Sequence, residues 1–392
     1  MAAARLHNWP VVEFDKRNSG AVAARRCRGQ KGPLGCLANR LVASGDPRCY
    51  TDLVAELAVV IVAHDSARWL EDCIASVYAH AGDLEPEVIV VDTESTDGSA
   101  DLVERLFPAV RVIRSENRGF AAANNRAARE TDASFVLFLN PDTEIVQGRL
   151  GDLVEELAVR PRVGLVGCRQ LDATGAVYPT IRRFPTAVRL FFEAVGSERF
   201  PFRASWLGER ELDQSRYEQE TECDWTSGSF MLVRREALLG AGLMDERFFL
   251  YCEEPDLCLR IRRGGWDVRH VPTMTIVHYV GNAGLSEQLV AQDAFARRQY
   301  FEKHFSLVHR AAAIGAFASG HVLRAVIGGF NSETRPRRRT CSRAALRALF
   351  GRTPPFMAPP ECAVSAPEPR QTRMRPIPNQ PPAVSSTSSS LG

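Results

Sequence analysis

From Leu57 onward, short apolar runs alternate with stretches in which apolar residues return every three or four positions. Residues 58–63 form a β-branched run that breaks at His64-Asp65-Ser66, after which Trp69, Leu70, Cys73, Ile74 and Val77 fall at helical spacing. A second strand, 87–91, ends at Asp92-Thr93-Glu94-Ser95-Thr96-Asp97-Gly98 and precedes a helix carrying Leu102, Val103, Leu106 and Phe107. A third, 110–113, leads into Asn117-Arg118-Gly119-Phe120 and a helix rich in Ala and Asn. The fourth, 134–139, is apolar throughout, as a strand buried on both faces would be. Strands alternating with helices of this length predict an α/β fold around a parallel-rich sheet with right-handed crossovers, the type that binds nucleotides.

The segment 153–234 is less regular. It holds a short strand at 163–167, the stretch Val177-Tyr178-Pro179-Thr180-Ile181-Arg182-Arg183-Phe184-Pro185, and a loop entering a strand at 224–233. An acidic cluster, Glu253-Glu254-Pro255-Asp256, comes before a basic helix near 259–263, a turn at Gly264-Gly265 and strand-like pieces reaching His278. These divisions predict a disordered basic segment over 1–55, a main domain over 56–305, an apolar and basic helix over 306–330, and a disordered Arg/Pro/Ser-rich tail over 331–392.

Composition narrows the classes. The 392 residues are 45% hydrophobic with a net charge of +2, enough for a sizeable core and too near neutral for wholesale nucleic-acid binding. No recognition motif accompanies the basic tails, so nucleic acid is not an expected partner. The ten cysteines lack regular C-x-x-C pairs and suit a reducing cytoplasm better than a zinc site or a disulfide framework. No run of eighteen apolar residues predicts a spanning helix.

In open α/β sheets ligands bind at the carboxyl ends of the strands. At the end of the fourth strand stand Asn140-Pro141-Asp142, two oxygen ligands for a hard divalent cation or, alternatively, a Pro-Asp turn. Asp92 ends the second strand at the same sheet edge, where a carboxylate can accept hydrogen bonds from a base imide or a ribose hydroxyl. Residues 95–99 read as turn formers and a helix cap. Glu253, Glu254 and Asp256 would crowd a helix's first turn, which suits the helix dipole. Crowding against apolar neighbours also raises at least one carboxyl pKa toward values useful to a general base. His278 follows a strand and is open to a structural or a ligand role. Arg118, Arg182 and Arg183 can pair with phosphates, although surface arginines commonly do nothing so specific.

The ordered series resembles the family 2 glycosyltransferases. It comprises residues 59–62, 90–99, Asn117-Arg118-Gly119-Phe120 with Asn124-Asn125, residues 139–144, Trp225-Thr226-Ser227-Gly228-Ser229, residues 248–258, Gly265-Trp266 and His278. The stretches 177–185 and 224–235 carry a narrower likeness to the rhamnosyltransferases of bacterial cell-wall and O-antigen assembly. The resemblance implies a GT-A fold and an inverting transfer of a sugar from a nucleotide-sugar donor. By position it implies donor contacts from Ala63, Asp65, Asp92, Glu94, Arg118, Gly119, Asn140, Trp225 and Gly228. It also implies Mg²⁺ or Mn²⁺ at Asp142 with His278, and a base at Glu254. Two departures stand out: Asn140 replaces the first Asp of D-x-D, and Glu254 followed by Pro255 replaces the usual Asp of the base position, which leaves the base open among Glu254, Glu253 and Asp256.

On this reading the donor is dTDP-rhamnose and the acceptor is a hydroxyl of a glycan or lipid-linked saccharide. Two rivals are a transferase of the same family that uses a UDP-hexose and a catalytically silent nucleotide-sugar binding protein. A lipid-linked acceptor raises membrane contact: residues 307–330 are apolar but interrupted by His309, Arg310, His321 and Arg324, with Arg335, Arg337, Arg338 and Arg339 beyond. Such a segment can lie on an anionic membrane, here the inner face of the cell membrane, or be a docked terminal helix beside a solvated tail.

Overall fold

A computed structural model describes residues 57–194, 207–279, 286–327, 335–351 and 354–356. Its centre is a ten-stranded sheet in the order β3-β2-β1-β4-β9-β6-β10-β5, with β7 paired to β6 and β8 to β10. The strands are β1 (Leu57–Ala63), β2 (Glu87–Thr93), β3 (Arg111–Ser115), β4 (Phe135–Leu139), β5 (Thr143–Gln147), β6 (Val163–Asp172), β7 (Val177–Tyr178), β8 (Thr221–Glu222), β9 (Phe230–Arg234) and β10 (Asp267–His278). The helices are α1 (Ala67–Ala79), α2 (Ser99–Leu106), α3 (Phe120–Arg129), α4 (Leu150–Ala158), α5 (Ala187–Ala194), α6 (Arg235–Gly240), α7 (Glu253–Arg263), α8 (Glu287–His304), α9 (Leu307–Ile327) and α10 (Arg335–Phe350).

Strand alternation divides the core into two layers. Val59, Ile61, Val88, Val90, Phe135, Leu137 and Leu139 meet α1, α2 and α4 on one face. Val60, Ile89, Val91, Val136 and Phe138 meet α3, α6 and α7 on the other. Both faces are covered, which is why these strands are apolar at every position. β3, β2, β1 and β4 are parallel. The second half differs from a simple parallel sheet: β9 runs antiparallel between β4 and β6, while β6 and β10 are parallel to each other. β6 also extends five residues beyond the predicted strand at 163–167, to Asp172.

The tail predicted over 331–392 is corrected in part, because residues 335–350 form α10. Ala344, Ala345, Ala348 and Leu349 line one side of this helix and pack on Ala291, Ala294 and Phe295 of α8. Its arginines had suggested a solvated chain, but they leave a small-residue stripe free to dock. Arg298 of α8 closes the end by donating to the Leu349 carbonyl at 3.3 Å. Residues 1–56 and 357–392 lie outside the described residues.

Candidate active site

The carboxyl ends of β2, β1 and β4 lie side by side, with Ala63 in register with Asp92 and Ile61 with Leu139. Asp92 is buried at this edge. Its Oδ1 accepts from the Ser95 amide at 3.1 Å, while its Oδ2 is buried with no protein partner. A buried carboxylate oxygen without a partner is costly and suits a ligand's N–H or O–H. Asp92 and Glu94 line a polar hollow of about 530 Å³ with Arg114 and Glu116.

The neighbouring predicted residues are tied into the loops around it. Asp65 accepts from the Thr96 amide (2.7 Å) and hydroxyl (3.1 Å), and the Ala63 carbonyl accepts from the Thr93 hydroxyl at 2.9 Å. Glu94 accepts from the Asn117 amide at 3.2 Å. The Arg118 side chain is largely exposed and sits 3.9 Å from Glu246. Gly119 has φ +96°, and a Cβ there would lie 2.3 Å from the Phe249 carbonyl oxygen, so only glycine lets the two loops touch.

A second cavity, of about 370 Å³, is lined by Asn140, Asp142, Gly228, Glu253, Glu254 and His278 among others. Asp142 and His278 approach because β5 and β10 pair, with the Tyr279 amide bonded to the Asp142 carbonyl at 3.0 Å. The Nε2–H of His278 donates to Asp142 Oδ1 at 3.1 Å. Behind it, Gln170 Nε2 donates to His278 Nδ1 (2.9 Å) and Ser229 Oγ donates to Gln170 Oε1 (2.6 Å). Sequence reasoning missed Gln170; the available signal was a polar residue continuing an apolar strand. Among the described residues no three His, Cys, Asp or Glu side chains cluster as a closed metal shell. One carboxylate and one imidazole on a cavity wall still fit a cation that keeps waters and binds mainly through a ligand's phosphates.

The three acidic candidates separate sharply. Helix α7 is entered through Tyr251 (φ +71°) and Cys252 (φ +68°), two consecutive non-glycine residues in the left-handed region. Such strain persists only where surrounding structure enforces it, and it collects at functional sites. Glu253 is 2% exposed, its Oε2 has no partner, and burial followed by the charge of Glu254 pushes its carboxyl well above the ordinary range. Glu254 reaches the cavity, and its Oε1 accepts from the Gly228 amide at 3.2 Å. A Cβ on residue 228 would lie 2.7 Å from that oxygen, so a side chain there would push this carboxylate out of its place. Burial raises the Glu254 pKa, while the Gly228 hydrogen bond and the charge of Arg182 restrain the rise. Asp256 belongs elsewhere. It is fully buried between Arg260 (2.7 Å), Lys303 (2.5 Å) and His304 (2.7 Å), and these partners hold its carboxyl down at about 2. Its partners occupy this carboxylate, and it lines neither the second cavity nor the one adjoining it, so the geometry favours Glu254 and Glu253 over Asp256 as the base.

A third cavity, of about 200 Å³, adjoins the second and shares Tyr178, Ser227, Tyr251 and Glu254 with it. Trp225 lines it, with its indole N–H donating to the Arg183 carbonyl at 3.0 Å. Glu254 thus stands where two cavities meet.

An α/β sheet with acids at its strand ends and a carboxylate set between two cavities suits the binding of a charged ligand beside a second substrate. The chain belongs to glycosyl transferase family 2, whose model matches residues 58–238. It is 32% identical over 236 residues to the N-acetylglucosaminyl-diphospho-decaprenol L-rhamnosyltransferase of Mycobacterium tuberculosis, a match spanning 57% of this chain and 76% of that protein. It is 25% identical over 232 residues to the rhamnosyltransferase WbbL of Escherichia coli K12, covering 56% and 82%. Among solved structures it is similar to the mannosyltransferase PcManGT from Pyrobaculum calidifontis in complex with GDP-Man and Mn²⁺, with 18% identity, a TM-score of 0.46, and 81% and 99% of the two chains covered. The family match ends before Glu254 and His278, whose setting rests on the geometry above.

Proposed function

We propose that this glycosyltransferase moves L-rhamnose from dTDP-rhamnose to a hydroxyl of a lipid-linked saccharide in cell-envelope polysaccharide synthesis, with inversion at the anomeric carbon. The observation that carries the reading is the setting of Glu254, at the junction of two cavities with its carboxylate fixed by the Gly228 amide. The names of the two relatives supply the sugar.

Asp92 would accept a hydrogen bond from the donor base or ribose at its unpartnered oxygen. Asp142 and His278 would hold Mg²⁺ or Mn²⁺, which supplies positive charge to the diphosphate oxygens. From the other cavity, the acceptor hydroxyl gives its proton to Glu254 as its oxygen bonds to the anomeric carbon. The bond to the diphosphate breaks on the opposite face, so one displacement inverts the centre. Glu253, whose pKa burial and the Glu254 charge raise well above the ordinary range, would leave Glu254 the readier of the two to carry the negative charge. The apolar face of α5 and α9 would rest on the inner face of the membrane, where a lipid-linked acceptor resides.

The test is a turnover and thermal-shift screen of sugar nucleotides with Mg²⁺ or Mn²⁺, on the wild type and Glu254→Gln. Stabilisation and turnover with dTDP-rhamnose are expected, with turnover falling roughly 100- to 10,000-fold in the variant. Preference for a UDP-hexose would overturn the donor; binding without turnover would favour a silent binding protein.

A further inference from the structure

Arg182 and Arg183 are sequence neighbours with different surroundings. Arg183 is paired with the buried Glu211. Arg182 lines the third cavity, and no carboxylate among the described residues forms an ion pair with it. Its Nε is buried without a hydrogen-bond partner. The other arginine of that cavity, Arg297, is balanced by Glu209 (3.0 Å) and Asp293 (3.2 Å), whereas Arg182 acts on Glu254 only from beyond ion-pair distance and is free to meet a second anion. Its position is firmly set: the guanidinium lies 5.5 Å from the Trp225 ring centre and 5.9 Å from that of Tyr178, and its backbone is bonded to Trp225 and Asp224. Aromatic faces suit a sugar ring, and an unpaired planar cation beside them suits phosphate oxygens.

We infer that the Arg182 cavity is the acceptor subsite and that Arg182 recognises a phosphate attached to the acceptor sugar. The inference rests on the proposed function and adds the residue that reads the acceptor's charge. Asp142 and His278 serve the other cavity, so two separate anion sites flank Glu254: one for the departing diphosphate, one for the diphosphate that the acceptor retains.

The test compares an N-acetylglucosaminyl diphospholipid of short isoprenoid chain with the neutral octyl glycoside of the same sugar, on the wild type, Arg182→Met and Arg182→Lys. Loss of a charge-assisted contact should raise KM for the diphospholipid roughly 10- to 100-fold in Arg182→Met. KM for the neutral acceptor and for the donor should stay within about 2-fold, and Arg182→Lys should recover part of the loss. If Arg182 merely accompanies Glu254, kcat falls alike for both acceptors while KM does not discriminate, and the inference is overturned. A lowered melting temperature with equal losses on both acceptors also overturns it, as a structural role. A wild type that transfers sugar to neither acceptor sinks the proposed function and this inference with it.

Discussion

Because Glu253 is buried at the cavity wall with an unpartnered oxygen and a raised pKa, the proposed mechanism predicts that glutamine replaces it with little loss, whereas Glu254→Gln is not tolerated. Turnover of Glu253→Gln should therefore stay within a few-fold of wild type. If it proves as inactive as Glu254→Gln, the base has been assigned to the wrong residue. The raised Glu254 pKa also sets a sign: activity should fall with decreasing pH through a midpoint above the ordinary glutamate value of 4.5, measured as the acid limb of kcat. Gln170 offers a second case. Metal at His278 Nε2 requires Nδ1–H to donate backward, and the Gln170 amide can turn to accept that proton while giving one to Ser229. Gln170→Leu should weaken Mn²⁺ binding roughly 10- to 100-fold, read by calorimetry without any sugar acceptor. Unchanged affinity would mean that His278 does not ligate. At this scale Asp92, Asp142 and Glu254 were legible as acids at strand and helix ends. Gln170 and the sorting of Arg182 from Arg183 were not, since both depend on partners up to 108 positions away.

Helix α7 presents Glu254 from its first turn, and what fixes that turn is Asp256, tied to Arg260 within the helix and to Lys303 and His304 of α8. Asp256→Asn leaves buried cations without their counter-charge and should cost roughly 3–5 kcal/mol, seen as a lower denaturation midpoint. The folded pKa, about 2, lies below the ordinary 3.8. The pair's stabilisation is therefore fully present above about pH 4 and is lost as pH falls toward 2. Stability of the variant should depend less on pH across that window; an unchanged slope would show that other groups dominate acid unfolding. The strands β1 to β4 could be read from the chain because residues buried on both faces make continuous apolar runs. The reversal of β9 could not, because a buried strand carries the same apolar signature in either direction. Nor did α10 stand out, since a stripe of alanines among arginines has little hydrophobic contrast.

At the largest scale, several exposed apolar residues of the described chain fall on two packed helices. Val188 and Phe191 of α5 are 51% and 50% exposed, and Leu307, Val308 and Val326 of α9 are 73%, 78% and 67% exposed. Between them runs an apolar groove floored by Ala312, Gly315 and Ala316. Among the described residues no helix is long and apolar enough to cross a membrane. Arg310 and Arg324 sit on the same helix, and Arg343 and Arg347 on adjoining α10, which favours an anionic surface. Co-sedimentation should therefore be strong with vesicles containing phosphatidylglycerol, weak with phosphatidylcholine alone, and reduced by salt. Phe191→Asp with Val308→Asp should abolish it while leaving turnover on a short, water-soluble acceptor intact, because neither residue lines the Glu254 cavities. Equal sedimentation of the double variant would mean that the exposed apolar face is not the contact. Loss of turnover on the soluble acceptor would instead show that these helices support the site itself, through Tyr300 and Phe301 of α8, against which α5 and α9 pack.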